Sequence, residues 1–285
     1  MAMDKILDGK RVAAEMLEKA RNKVAKLKRE TGVTPCLATV LVGGDPASAT
    51  YVKMKRRRCE DIGMTSLPIE MPEATTTEEL VAKINSLAAD KSVNGILLQH
   101  PVPAQIDERA AFEAIGAAKD VDGVTATGLG QMWLGLPGFG SCTPAGIMRL
   151  IEAYKIDLTG LHAVVIGRSP ILGKPMAAML LEANATVTIC HSRTKDIEKI
   201  VKQADVIVAA VGRAEFVKGE WVKPGAIVLD AGYNEGNVGD VDYDGAFKNA
   251  SLITPVPGGV GPMTIATLID QTADAALVQH GIDTP

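Results

Sequence analysis

Val164-Val165-Ile166-Gly167-Arg168-Ser169-Pro170-Ile171-Leu172-Gly173-Lys174-Pro175 is the stretch that decides the fold. Three β-branched aliphatic residues run straight into a glycine turn, and residues 176–182 continue in a helix-forming pattern. A glycine directly after a buried strand lets the backbone approach a pyrophosphate, and the N-terminus of the next helix offers unpaired N–H donors to it. The spacing Gly-x-Ser-x-x-x-Gly departs from the common Gly-x-Gly-x-x-Gly, so a tight turn that binds nothing stands as the plainer alternative. At the end of the following strand, Ile189-Cys190-His191-Ser192-Arg193-Thr194 carries no Asp or Glu to hold a ribose 2′-hydroxyl. Arg168 and Arg193 can neutralise a phosphate there and Ser192 can hydrogen-bond it, unless both arginines are simply solvated. The reading is a dinucleotide turn for NADP rather than NAD.

Outward from this turn, strands are expected at 163–166, 186–190, 205–211, 226–230 and 252–254, alternating with helices. The N-terminal half repeats the pattern. Val12, Met16, Ala20, Val24 and Leu27 recur at helical spacing within a helix over 10–29. A strand follows at 36–42, closed by Gly43-Gly44-Asp45-Pro46, then a helix at 48–62 and a short strand at 66–70. Thr75 to Glu79 supply a helix N-terminus, the helix runs to 89, and the next strand is 95–98. Such alternation predicts an α/β chain with largely parallel sheets. Between 125 and 142 five glycines and Pro137 break the pattern, which reads as the crossing between two domains. A helix then runs from Thr143-Pro144 to Tyr154, and the tail over 263–280 reads as a helix that packs back on the first domain.

At ~150 residues per domain, 285 residues make two domains. The net charge of −4 leaves no basic excess of the kind a nucleic-acid footprint needs. Hydrophobic residues at 47% and charged residues at 22% describe a globular chain, and aromatics at 4% make its core aliphatic. No run approaches the ~20 apolar residues of a membrane helix, and no apolar signal core follows Met1. Cys36, Cys59, Cys142 and Cys190 form no Cys-x-x-Cys pair, which argues for reduced thiols in a cytoplasmic protein, without disulfide or zinc. Cys59 and Cys142 read as packing residues, and His162 and His280 as surface or structural ones. No His/Cys/Asp cluster suggests a metal.

A second constellation lies in the first half. Tyr51 and Lys55 stand four apart on one helix, in the register that also carries Cys59 and Ile62 toward the sheet. Arg56, Arg57 and Arg58 read instead as a solvated basic face. A lysine beside an apolar sheet edge has its charged form disfavoured and can serve as acid or base near neutrality. Strand 95–98 delivers Gln99 at its C-terminal end, where open α/β sheets bind ligands. Asp122, in Lys119-Asp120-Val121-Asp122-Gly123, is either a site residue or part of a turn.

Several blocks then fall together. They are Ser48-Ala49-Thr50-Tyr51-Val52-Lys53-Met54-Lys55, Leu98-Gln99-His100-Pro101, Lys119 to Gly123, Cys142-Thr143-Pro144, Gly167-Arg168-Ser169, and Thr254-Pro255-Val256-Pro257-Gly258-Gly259-Val260-Gly261-Pro262-Met263-Thr264. In this order, over nearly the whole chain, the sequence resembles the bifunctional methylenetetrahydrofolate dehydrogenase/methenyltetrahydrofolate cyclohydrolases. The resemblance implies a folate-binding catalytic domain at 1–139 with helix 265–285 packed on it. It also implies a Rossmann-type NADP domain at 140–264, and a cleft between the two. It makes Lys55 the acid/base of the cyclohydrolase step, with Gln99 beside it, Tyr51 stacked on the folate rings and Asp122 bonded to the pterin. Met54, His100, Pro257 and Gly261 complete the substrate site. Cofactor contacts fall on Thr143, Gly167, Arg168, Ser169, Ile171, His191, Ser192, Arg193, Ala210, Gly212, Tyr233 and Thr264; His191 then packs near the ribose and is no catalytic base. A homodimer acting on tetrahydrofolate derivatives, polyglutamylated forms included, is implied too. His100 departs from the leucine common at its position, and Pro170 removes an N–H from the phosphate turn. The rivals are a dehydrogenase lacking the hydrolytic step and a folate- or nucleotide-binding module without turnover.

Overall fold

A computed structural model describes residues 5–44 and 46–283, with backbone alone for 46–51. The chain divides into two compact units. One comprises Glu15–Gln131, Leu136–Gly140 and the chain from Ile265 onward; the other comprises the chain through Ala14, Met132–Gly135 and Ser141–Thr264.

The first unit is built on a three-stranded parallel sheet in the order β2-β1-β3. Its middle strand, β1 (Cys36–Val42), is buried at every position. A strand covered on both faces must be apolar on both, which is why Cys-Leu-Ala-Thr-Val-Leu-Val shows no alternation. β2 (Thr65–Met71) is an edge strand with exposed positions, and it tolerates Pro68. β3 (Gly95–Leu98) is buried and leads directly to Gln99.

Helix α1 (Gly9–Thr31) buries Val12, Met16, Ala20, Val24 and Leu27, the five positions its spacing singles out. α2 (Pro46–Asp61) packs on β1 and β2. α3 (Thr77–Ala89) opens with a capping box in which Thr76 and Glu79 satisfy each other's backbone N–H groups. The tail forms α10 (Val260–Gln279). In this unit Lys23 of α1 holds Asp270 at 2.7 Å and Asp274 at 2.8 Å, and Gln271 donates to the Val121 carbonyl.

The second unit carries five parallel strands in the order β5-β4-β6-β7-β8. They are β4 (His162–Ile166), β5 (Thr186–Cys190), β6 (Val206–Ala209), β7 (Ile227–Asp230) and β8 (Leu252–Ile253). β5 lies on one side of β4 and β6 on the other, so the strand order reverses between β4 and β6. The crevice beyond the C-terminal ends at such a reversal is where doubly wound sheets bind ligands. α6 (Cys142–Ala153) and α7 (Gly173–Glu182) arise where the sequence predicts them. The start of the chain also belongs here, since the Leu7 N–H donates to the Ile253 carbonyl.

Four helices were not expected: α4 (Glu108–Glu113), α5 (Ala126–Trp133), α8 (Ile197–Val201) and α9 (Tyr243–Asn249). α5 corrects the reading of 125–142 as wholly irregular. Thr125 Oγ1 accepts the Gly128 N–H at 3.0 Å, while a Cβ at Gly128 would come 3.1 Å from Asp120 Oδ2. The glycine serves close packing inside a helix. Among the described residues, no helix is long and apolar enough to cross a membrane, and no His/Cys/Asp/Glu group could hold a metal. All four cysteines are free and buried.

Candidate active site

Gln99 leaves the end of β3, its N–H bonded to the Val40 carbonyl at 2.8 Å, so β1 fixes its backbone. Its side-chain amide is oriented at both ends. Nε2 donates to the His100 carbonyl at 2.8 Å, and Oε1 accepts from Lys55 Nζ at 3.0 Å. The half-buried Lys55 reaches it from α2, whose Cys59 and Ile62 register is buried as expected. Arg56 and Arg58 pair with Glu60 and Asp61 on the exposed side. Met54 is exposed. Tyr51 lies one turn earlier on the same helix, and its side chain is outside the described residues.

Asp122 stands half-buried on a loop organised by its neighbour Asp120, whose carboxylate accepts the Val124 and Thr125 N–H groups at 3.0 and 2.8 Å. Asp120, absent from the expected site, is a structural carboxylate. His100 touches Gln99 through its main-chain carbonyl, while its ring Nδ1 lies 2.5 Å from Glu108 Oε1.

In the second unit the glycine turn forms as read, with one revision. A Cβ on Gly173 would lie 2.3 Å from the Gly167 carbonyl oxygen, and one on Gly167 (φ +142°) would lie 2.3 Å from that of Ala210. Both glycines are there for backbone approach. The revision concerns the N-terminus of α7, which keeps its donors for itself. Gly173 and Lys174 N–H groups bond Ser169 Oγ and the Ser169 carbonyl, Pro175 has none, and Met176 bonds Leu172. The N–H groups left for an anion are those of Arg168, Ser169 and Ile171, in the turn itself. The loss of an N–H at Pro170 therefore leaves three donors in place.

Gly167 N–H bonds the Cys190 carbonyl, so Arg168 and the loop after β5 emerge side by side. There His191 Nδ1 accepts the Arg193 N–H at 3.2 Å, which leaves Nε2 to carry the proton of a neutral ring. Ser192, Arg193 and Arg168 are exposed, and neither guanidinium pairs with a carboxylate among the described residues. Thr143 and Thr264 meet through their hydroxyls at 3.0 Å. Tyr233 is 54% exposed and donates to Asn237. Pro257 and Gly261 lie exposed on the approach to α10 and in its first turn.

The tetrahydrofolate dehydrogenase/cyclohydrolase catalytic-domain model matches residues 7–122, and the NAD(P)-binding-domain model of the same enzymes matches residues 141–280. The chain belongs to the tetrahydrofolate dehydrogenase/cyclohydrolase family. Within this family it is 64% identical over 276 residues to the bifunctional protein FolD of Saccharophagus degradans, covering 97% of this chain and 99% of that one. It is similar to the crystal structure of the bifunctional FolD of Campylobacter jejuni at a TM-score of 0.93 and 48% identity, covering 95% and 98% of the two chains. The Trypanosoma brucei dehydrogenase-cyclohydrolase, complexed with NADP cofactor and inhibitor, matches at 0.91 and 35% identity, covering 95% and 96%.

Two residues escape the sequence reading of this family member. Asp230 and Asp240 are buried, at 4% and 0% exposure, beneath the loops that follow β6 and β7. Their only signal is the run Gly239-Asp240-Val241-Asp242, which carries no spacing of its own.

Proposed function

We propose that Lys55 and Gln99 carry the hydrolytic step, and that the turn from Gly167 to Gly173 holds the cofactor with the loops after β5, β6 and β7. The chain is an NADP-dependent methylenetetrahydrofolate dehydrogenase and methenyltetrahydrofolate cyclohydrolase, producing 10-formyltetrahydrofolate. The observation that carries the site assignment is the 3.0 Å contact of Lys55 Nζ with Gln99, in a chain that also bears a glycine turn flanked by two arginines with no carboxylate partner among the described residues.

The second unit fits NADP. Among the described residues the turn leaves the Arg168, Ser169 and Ile171 amides for phosphate oxygens, and Arg168, Ser192 and Arg193 suit a 2′-phosphate with no carboxylate paired to either arginine. Ile171, Ala210, Gly212, Tyr233, Thr143, His191 and Thr264 complete the contacts in this reading. When bound, NADP accepts the hydride that leaves the methylene carbon of the substrate.

The remaining chemistry belongs to the chain. As a neutral amine, Lys55 still donates one hydrogen to Gln99 while its lone pair takes a proton from water bonding the methenyl carbon. The ammonium then returns a proton to the ring nitrogen as the carbon–nitrogen bond opens, and the adduct's hydroxyl proton passes to solvent as the formyl carbonyl forms. Gln99 keeps the amine aimed, because its amide is held by the His100 carbonyl and cannot turn its NH₂ toward Lys55 without losing that bond. Tyr51, Met54, His100 and Asp122 bind the folate in this reading, which also assigns Pro257 and Gly261 to the substrate.

The domain reading assigns 1–139 with 265–285 to folate and 140–264 to NADP. Family resemblance supports a homodimer acting on polyglutamylated substrates as well, and four free cysteines suit a cytoplasmic setting. One time course tests the function. Protein is given methylenetetrahydrofolate with NADP, with NAD in a parallel reaction, and formyl product is quantified at the end. NADPH with formyl product and a weak NAD response is expected. NADPH with methenyl product decaying no faster than in buffer would leave a dehydrogenase alone.

A further inference from the structure

The loop after β6 is held by an unusual device. Val211, Gly212 and Arg213 all direct their N–H groups at one carboxylate, that of Asp240. Oδ2 accepts from Val211 at 2.5 Å and Gly212 at 2.8 Å, and Oδ1 accepts from Arg213 at 3.0 Å. Asn234 Nδ2 adds a fourth bond to Oδ1 at 3.0 Å. Three successive amides converging on one anion form a nest, here closed from inside the protein.

Asp240 is itself aimed from below. Its N–H and that of Val241 bond the Asp230 carboxylate at the end of β7, as does the Gly232 N–H. The glycines beside the pair leave room for it. A Cβ on Gly232 would fall 2.2 Å from Asp240 Cγ, and one on Gly239 would fall 2.0 Å from Asp230 Oδ2. No lysine, arginine or histidine pairs with either carboxylate among the described residues. Burying two neighbouring carboxylates without a cation is costly, and a neutral cap would close a surface loop at less expense.

The position of this loop explains the arrangement. Ala210, just before the nest, presses its carbonyl against Gly167, so any movement of 210–213 is felt at the phosphate turn. Gly212 has nothing within 4 Å of where a Cβ would stand, which leaves open space on its outer face. Asn234, the fourth donor, directly follows Tyr233. One carboxylate thus sets the loop after β6, which flanks the crevice beyond β4 and β6, together with the loop after β7 next to it.

We propose that Asp240 is a positioning residue of the cofactor site, locking the loop from Val211 to Arg213 and the loop of Tyr233 and Asn234 in the conformation that accepts NADP. The proposal rests on the reading of Gly212 and Tyr233 as cofactor contacts. It acts through backbone and touches no reacting atom.

Asp240→Asn tests it with little change of shape. An amide offers one oxygen and one NH₂, and in either orientation its NH₂ faces two of the four donors, Val211 and Gly212 or Arg213 and Asn234. The full-length variant should show a KM for NADP raised about tenfold or more, from the donors left unsatisfied. Its kcat at saturating NADP and its hydrolysis of supplied methenyltetrahydrofolate should stay at wild-type values. Asn234→Ala removes a single donor and should raise the same KM about threefold; it decides the matter if Asp240→Asn does not fold. An unchanged KM for NADP, or both activities falling in parallel, would overturn the proposal. Absence of NADPH formation by the wild type would instead overturn the functional reading beneath it.

Discussion

Lys55 and Asp230 illustrate how a side chain's partners decide what it does. Lys55 meets an amide oxygen, which accepts from an amine in either protonation state and so leaves the proton free to move. Asp230 meets three backbone N–H groups that favour its charge, yet burial outweighs them. With Asp240 adding repulsion, its carboxyl is pushed up from 3.8 to about 6. The folded protein therefore holds this proton more tightly than the unfolded chain. That contribution to stability is fully present below about pH 4 and is lost as pH rises to about 6, by up to about 3 kcal/mol. Asp230→Asn lacks it. Urea unfolding of both proteins across this range should show the wild-type advantage over the variant shrinking between about pH 4 and 6 and level above. A constant difference would contradict the assignment. At this scale the placing of Lys55 and Gln99 was legible in the sequence, because each stands at a strand end or in a helix register with a known direction. It did not disclose Asp230 or Asp240, since a nest is made by backbone conformation, and any Asp in a glycine-rich run looks like a turn.

Among the elements, the long helices and central strands were legible and the short helices were not. α1 repeats its apolar spacing over six turns, and β1 is apolar throughout, so burial alone dictates both. α8 has five residues and α9 seven, too few for a period to emerge; α9 is set instead by Asp242 accepting the Gly245 N–H. α5 was hidden by Gly128 and Gly130, whose composition suggests a loop. The glycine turn before α7 forms where the sequence places it, but its glycines close on the protein's own backbone, and the first helical amides are already bonded. Ser169 is the reason, because its Oγ and carbonyl occupy the first helical amides. Gly173→Ala would push a methyl into the Gly167 carbonyl and should destabilise the protein by about 1–3 kcal/mol while raising KM for NADP. Gly130→Ala in α5 meets nothing within 4 Å and should be neutral or stabilising by up to about 1 kcal/mol. Thermal unfolding and NADP kinetics of the two variants check the contrast; equal behaviour would remove the close-approach argument.

Across the whole molecule, the residues proposed for the two chemistries fall in different units. Lys55 and Gln99 belong to the three-stranded unit, while Gly167, Gly212 and the arginines belong to the five-stranded one. The boundary between the units was not legible in the sequence, because α1 and α10 each pass from one unit to the other without a break in pattern. The central claim is that Lys55 serves hydrolysis and leaves hydride transfer largely untouched. Lys55→Gln, assayed on one preparation for NADPH formation from methylenetetrahydrofolate and for hydrolysis of methenyltetrahydrofolate, tests this most directly. The account predicts hydrolysis down by about 100-fold or more, as loss of a general acid/base requires, with NADPH formation reduced far less. Equal loss of both activities would contradict it and make Lys55 a shared positioning residue.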